Sequence, residues 1–175
     1  LARRAGLPRV PELYYVPSQI PNAFAMGSPD ESAVCVSDGL LRLMNQRELA
    51  GVLAHEVAHI ANRDLWIMGL ADAMSRAVSL ASWVGQLILL LTLPLILAGA
   101  AYVPWQVPLV LIFSPTIMAL LQLALSRARE YDADRGGAEL TGDPDGLASA
   151  LLKLERRVGR VWEEMFLPGR RIPEP

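Results

Sequence analysis

The sequence has very little cysteine and histidine, and its basic residues do not cluster. A single cysteine, Cys35, excludes an internal disulfide, and we expect it to be a buried strand residue. With two histidines in the chain, a metal site has at most two imidazole ligands. The formal net charge is −2 and the basic residues are scattered, a pattern that does not favour nucleic acid as a partner.

Charge is absent from a long central stretch. No Asp, Glu, Lys, Arg or His occurs between Arg76 and Arg127. Residues 77–100 exceed the ~20 apolar residues that cross a ~30 Å hydrocarbon layer, and residues 107–126 also suffice. We therefore predict a transmembrane helical hairpin over residues 77–126, with Tyr102 and Trp105 as interfacial anchors in its link. The alternative is a hairpin buried in a globular core, which so long an uncharged run disfavours.

The length and the N-terminal sequence set the expected domain organisation. At 175 residues the chain is long enough for one domain with a core, so we predict a single domain over residues 1–175 with the hairpin inserted in it. The first residue is Leu, and the sequence shows neither a signal segment nor an N-terminal span. We expect a fragment or a processed chain.

Short apolar runs and helix signals predict a mixed α and β fold. Residues 13–16, 22–26 and 33–36 are separated by prolines and glycine and predict a small β meander. Asn45 followed by Glu48 is typical of a helix N-terminus, and the helical spacing of apolar residues continues to about Asn62. A further helix is expected to end at Gly136 and Gly137. The last helix should begin at Asp143 and Pro144 and end at Gly159.

His55, Glu56 and His59 form a His-Glu-x-x-His motif inside the helix predicted after Asn45. Residues four apart share a helix face, so both imidazoles can reach one metal ion. Glu56 is turned beside the metal, where it can take a proton from water as a general base. The alternative is a chance pairing of two histidines, with odds on the order of one in a thousand. The motif predicts a metallopeptidase that binds zinc.

The third zinc ligand is expected to be a carboxylate from a second helix, because both histidines are used and Cys35 is predicted in a strand. Glu130 and Asp134 are spaced i, i+4 and share a helix face. One can bind zinc while the other orients a histidine. Spacing alone does not rank Glu130 above Asp134 or Asp132, and a solvated, charged helix end is the alternative.

Three motifs together resemble the HtpX family of membrane zinc endopeptidases, which is related to the type I CAAX prenyl proteases. The motifs are Pro21-Asn22-Ala23-Phe24-Ala25, the eight residues from His55 to Asn62, and the nine residues from Ser126 to Asp134. They occur in the family's order, with a hydrophobic hairpin between the last two. The resemblance covers most of the chain.

The resemblance implies a role for each matching residue. It makes Glu130 the third ligand of one zinc ion per chain and Asp134 the partner that orients a histidine. It assigns Asn22, Ala23, Phe24 and Ala25 to an edge strand that binds substrate. It also implies a gluzincin-like α+β core in a multi-pass protein of the inner membrane. The expected activity is hydrolysis of misfolded or membrane proteins on the cytoplasmic side.

Two other functions are compatible with parts of the pattern. An intramembrane site-2-type protease would bury its His-Glu-x-x-His motif in an apolar span, whereas Glu48 and Arg63 flank this motif with charge. A non-catalytic membrane scaffold that binds zinc is the second alternative. The presence of Glu56 disfavours the scaffold, because a ligand set alone does not need a general base.

Overall fold

A computed structural model describes the chain from residue 1 to residue 166, and its side chains from residue 1 to residue 157. The described elements are β1 Glu12–Val16, β2 Ala23–Ser28, β3 Glu31–Ser37, α1 Asp38–Leu43, α2 Gln46–Ala61, α3 Asp64–Leu97, α4 Gln106–Thr141 and α5 Pro144–Phe166. The predicted mixture of a small sheet with helices, two of them apolar, is confirmed. The end of the predicted 1–175 domain lies outside the described residues.

The chain forms two compact units. The first contains residues 1–63 and continues from Tyr131 onward, and the second is Asp64–Glu130. The division falls within α4, whose last residues belong to the first unit. The predicted extent of one domain with an insertion at 77–126 stays a prediction.

The sheet of the first unit is not a meander. Its strand order is β1-β3-β2, with β1 parallel and β2 antiparallel to β3. The predicted meander is wrong because β1 pairs with β3 rather than with β2. The segment between β1 and β2 passes the end of β3, where the Gly39 N–H donates to the Ser18 carbonyl oxygen at 2.9 Å. A Cβ at Gly39 would lie 2.1 Å from the Gln19 carbonyl oxygen, so this passage requires glycine. Cys35 is buried in β3, as predicted.

The core of the first unit lies between the sheet and α2, α1 and α5. Its buried apolar residues are Val34, Val36, Leu40, Met44, Val52, Ile60 and Ala150. The predicted start of α2 is confirmed, because the Glu48 N–H donates to Asn45 Oδ1 and the Asn45 N–H donates to Glu48 Oε2. The short helix α1 was not predicted from the sequence. Ser37 caps it by accepting a hydrogen bond from the Leu40 N–H.

Two predicted helix ends are wrong. The helix expected to end at Gly136 and Gly137 continues through both to Thr141, and α5 continues through Gly159 to Phe166. A helical glycine costs only about 1 kcal/mol relative to alanine, so favourable packing is enough to carry a helix through one. The C-terminus of α4 is followed by Gly142, which has φ +70° and suits the left-handed position after a helix.

The second unit contains the two apolar helices α3 and α4. Each is long and apolar enough to span a membrane. Only 6% of the most hydrophobic window of α3 and 0% of that of α4 are buried among the described residues. This exposure contradicts the alternative of a hairpin buried in a globular core and fits a membrane protein.

Candidate metal centre

Helix α2, which carries His55, Glu56 and His59, is well packed around this motif. Ala54, Val57, Ala58 and Ile60 are buried. The two histidines are half-buried one turn apart, and their Nε2 atoms are separated by 3.1 Å. The rings meet edge to face, with centroids 4.7 Å apart and planes at 87°. The motif therefore presents two ring nitrogens to a common point, with Glu56 next to the first histidine.

The other ring nitrogen of His55 faces a carboxylate. His55 Nδ1 lies 2.9 Å from Asp134 Oδ1, and the His55 side chain is only 12% exposed. A proton on Nδ1 is stabilised beside this carboxylate, which leaves the lone pair of Nε2 for a metal ion. The sequence prediction paired Asp134 with a histidine, and the structure places Asp134 beside His55.

Two glycines allow α4 to approach the motif. A Cβ at Gly137 would lie 3.0 Å from the His55 backbone nitrogen, and a Cβ at Gly136 would lie 3.0 Å from the Ala58 Cβ. Larger side chains at these positions would push the C-terminal part of α4 away from α2. Sequence reasoning took the Gly-Gly pair as a helix end and missed this role. The sequence did offer a signal for this role, because the Gly-Gly pair follows closely after the acidic residues of α4.

Glu48 fixes α2 to α5, a role that the sequence did not reveal. The side chain is 3% exposed. Ser149 Oγ donates to Glu48 Oε1 at 2.6 Å and Lys153 Nζ donates to Glu48 Oε2 at 2.7 Å. The hydrogen bonds from Lys153 and then Ser149 lower the pKa of Glu48 to about 2. Glu48 is therefore a buried carboxylate at neutral pH, two turns before His55.

The remaining acidic candidates lie along α4. Glu130 is exposed and precedes Asp134 by one helical turn, so the two belong to the same face of α4. Asp132 is also exposed, and it points in another direction because it is two residues from each. In the second unit, Arg129 Nη1 lies 3.5 Å from Oδ1 of the buried Asp64.

Strand β2, predicted to bind substrate, lies at an edge of the described sheet. The Ser37 N–H donates to the Asn22 carbonyl oxygen at 3.0 Å, and Ala23 opposes Val36 in the register. Hydrogen-bonded and non-hydrogen-bonded pairs alternate in an antiparallel ladder, so Ala23 and Ala25 form non-hydrogen-bonded pairs with β3. Their peptide groups consequently point toward the open edge, whereas those of Phe24 point toward β3.

Comparisons with known proteins bear on this arrangement. The model of peptidase family M48 matches residues 1–169. The chain is 45% identical over 173 residues to a Protease HtpX homolog of Desulfatibacillum aliphaticivorans, covering 92% of this chain and 52% of that protein. It is 45% identical over 174 residues to the homolog of Pelotomaculum thermopropionicum, covering 92% and 58%. The chain is 41% identical over 174 residues to the homolog of Pyrococcus furiosus, covering 90% of this chain and 54% of that protein.

The chain spans about half the length of the curated relatives it matches. The similarity nevertheless extends over nearly all of this chain, and it includes α2, α4 and the edge strand. The predicted resemblance to the HtpX proteases is confirmed. Because the family model matches residues 1–169, which include the whole motif, the chain belongs to peptidase family M48.

Proposed function

We propose that this chain is the catalytic part of a membrane-associated, zinc-dependent endopeptidase in which Glu56 is the general base. The observation that carries the proposal is the pair of imidazole Nε2 atoms 3.1 Å apart on α2, with Glu56 beside the first, in a chain of a peptidase family. Membership of that family and similarity to proteases support peptide-bond hydrolysis as the reaction.

The histidine geometry fits zinc. Two nitrogens bound to one tetrahedral zinc at about 2.0–2.1 Å lie about 3.3 Å apart, which is close to the separation of the two Nε2 atoms. Asp134 beside His55 Nδ1 favours the tautomer whose Nε2 is free to bind metal. A closed structural zinc site would need a fourth protein ligand, whereas a set of three leaves a position for water.

We assign the donor set to His55, His59 and Glu130, two imidazoles and one carboxylate, which is the composition of a catalytic zinc site. Glu130 is preferred to Asp132 because it shares the face of α4 that carries Asp134. When bound, zinc supplies the Lewis acidity that makes water a stronger acid and a peptide carbonyl a better electrophile.

Glu56 moves the proton in this proposal. Its carboxylate takes a proton from the attacking water and then donates it to the amine nitrogen of the departing peptide. His55 and His59 keep their Nε2 atoms directed at the same point, and Asp134 holds the proton on His55 Nδ1. Each step uses a residue of the motif or its immediate neighbour.

The substrate is proposed to bind as an extended strand along β2. The outward peptide groups of Ala23 and Ala25 can pair with a polypeptide through main-chain hydrogen bonds, which do not depend on side chains. This recognition suits misfolded proteins and damaged membrane proteins, because they expose unpaired backbone. Asn22 and Phe24 complete the proposed substrate strand.

The wider context is proposed from the same observations. We infer a gluzincin-like core that forms one domain with residues 77–126 as its inserted hairpin. We also infer a multi-pass protein of the inner membrane with its active site on the cytoplasmic side. The arginines on both sides of the hairpin support this orientation. The lipid bilayer and polypeptide substrates are then the partners.

Substitutions at three carboxylates test the proposal. The purified protein should contain one zinc and should cleave unfolded casein, and a chelator should abolish cleavage. Glu56→Gln should retain zinc and lose hydrolysis, whereas Glu130→Ala should lose zinc. Asp132→Ala is the matched control and should keep both. Zinc retained in Glu130→Ala would refute the ligand assignment. A native protein that binds zinc but cleaves nothing would favour the alternative of a non-catalytic, zinc-binding membrane scaffold.

A further inference from the structure

A proline deprives one backbone carbonyl of α4 of its regular helical hydrogen-bond donor. Pro115 lies inside α4 and has no N–H. The carbonyl that residue 115 would bond in a regular helix belongs to Leu111, four residues earlier. Since lipid cannot donate a hydrogen bond, a carbonyl left unsatisfied in an apolar span is costly.

Two side chains of α3 supply the missing donors. Ser82 Oγ donates to the Leu111 carbonyl oxygen, and Gln86 Nε2 donates to the same oxygen at 3.0 Å. Gln86 Nε2 also donates to Ser82 Oγ at 3.0 Å. Ser82 is 3% exposed in a helix whose other side chains are mostly exposed. We refer to Ser82, Gln86 and the Leu111 carbonyl as the Leu111 clamp.

The packing around the Leu111 clamp is close. A Cβ at Gly85 would lie 2.5 Å from Leu111 Cδ2, so the Leu111 side chain packs directly on this glycine. Ser82, Gly85 and Gln86 are spaced i, i+3 and i+4, which puts them on one face of α3. Small residues and polar side chains at an interface are the usual means by which helices associate in a membrane.

We propose that Ser82 and Gln86 are positioning residues: they hold α4 against α3 at its proline and thereby fix where the same helix places Glu130. This second step rests on the proposed function of Glu130. At about 1.5 Å per residue, about 22 Å of helix separates Pro115 from Glu130. A change of about 10° in direction at the proline would move Glu130 by about 4 Å, whereas metal ligands tolerate about 0.2 Å.

A double-mutant cycle tests the clamp itself. Ser82→Ala with Gln86→Leu is compared with the native chain in SDS-induced unfolding in mixed micelles, once with Pro115 and once with Pro115→Ala. With Pro115, the substitutions should lower the folding equilibrium constant about three- to tenfold. With Pro115→Ala, the new N–H satisfies the Leu111 carbonyl, so the effect should largely vanish. An equal effect in both backgrounds would overturn the clamp.

Thr92→Val is the matched control, because Thr92 Oγ1 donates within α3, to the Ile88 carbonyl oxygen at 2.9 Å. It removes a hydroxyl whose hydrogen bonds lie within α3, and it should leave the unfolding midpoint nearly unchanged. If Thr92→Val loses as much stability as the clamp variant, any polar group of α3 has this effect. That result would also overturn the clamp.

Zinc affinity, measured by competition with a chromogenic chelator, tests the positioning role. The clamp variant should bind zinc about tenfold more weakly than Thr92→Val when both are folded, and this difference should disappear in Pro115→Ala. Unchanged affinity in a folded clamp variant would refute the positioning role. Zinc retained by Glu130→Ala would refute the ligand assignment and the positioning step together, whereas the clamp is judged by unfolding alone.

Discussion

His55 presents its two ring nitrogens to two different neighbours. Nε2 lies 3.1 Å from Nε2 of His59, and Nδ1 lies 2.9 Å from Oδ1 of Asp134. A neutral imidazole has one donor and one acceptor nitrogen, so a carboxylate at Nδ1 determines which nitrogen keeps the proton. The proposed role of Asp134 rests on its charge and its distance from His55 rather than on contact with the metal.

Replacing Asp134 tests this reading at the residue scale. Asp134→Asn keeps the shape of the side chain but removes the charge that stabilises the proton on Nδ1, so we expect zinc affinity to fall about 10–100-fold. Asp132→Asn, which changes an exposed carboxylate on another face of α4, is the control. Competition with a chelator measures the zinc affinity of both variants. Native zinc affinity in Asp134→Asn would rule out the orienting role.

At the scale of the element, α2 is held in place by the interior carboxylate of Glu48. Its pKa of about 2 lies below the ordinary 4.5, so between these values the unfolded chain binds more protons than the folded chain. The stabilisation is complete above about pH 4.5 and is lost as the pH falls toward 2.

Glu48→Gln should therefore lower the free energy of unfolding at neutral pH by about 1–2 kcal/mol, because hydrogen bonds to a charged acceptor are replaced by weaker ones. Between pH 5 and pH 2 the variant should lose less stability than the native chain. Glu139→Gln disrupts the exposed pair of Arg135 and Glu139 and serves as the control, with little change expected. Parallel pH profiles for the native chain and Glu48→Gln would contradict this account.

The edge strand gives a second prediction at this scale. Ala23→Pro removes an N–H that points away from β3, so folding and zinc content should be preserved while cleavage of long unfolded substrates slows. Phe24→Pro is the contrasting variant, because it removes an N–H directed at β3 and should destabilise the sheet. If folded, zinc-loaded Ala23→Pro cleaves such substrates at the native rate, substrate does not pair with that N–H.

Elements with a local chemical signal were predictable, and those set by tertiary contacts were not. The capping box of Asn45 and Glu48 gave the start of α2, and i, i+4 spacing put His55 and His59 on one face. The Gly-Gly pair at 136 and 137 predicts a helix end, because its packing against α2 is not visible in the sequence. The order of the strands also depends on a long-range contact, the passage of residues 17–22 past Gly39.

At the scale of the whole molecule, the charge-free block and the two long helices predict the membrane segments. Residues 77–97 of α3 and 106–126 of α4 are free of charge, and each stretch is about 31 Å long at about 1.5 Å per residue, close to the ~30 Å of a hydrocarbon layer. Helix α4 then continues without interruption, so Glu130 lies about 6 Å beyond the charge-free stretch. Zinc at Glu130 would lie near the membrane surface.

The charge distribution predicts which side of the membrane this is. Arg63 and Arg76 precede the charge-free block and Arg127 and Arg129 follow it, whereas residues 101–107 carry no charge. Positively charged flanks remain in the cytoplasm, so both ends of the hairpin and the active site should face it, and the link should face outward.

Cysteine introduced at Val103 in the whole protein tests the orientation in intact cells. A membrane-impermeant thiol reagent should label Val103→Cys from outside without cell lysis, because the link is expected on the outer side of the inner membrane. The native chain is the control, since Cys35 is buried in β3 and should remain unlabelled. Labelling that requires lysis would place the link in the cytoplasm and the zinc site outside. Substrates would then have to be extracytoplasmic proteins.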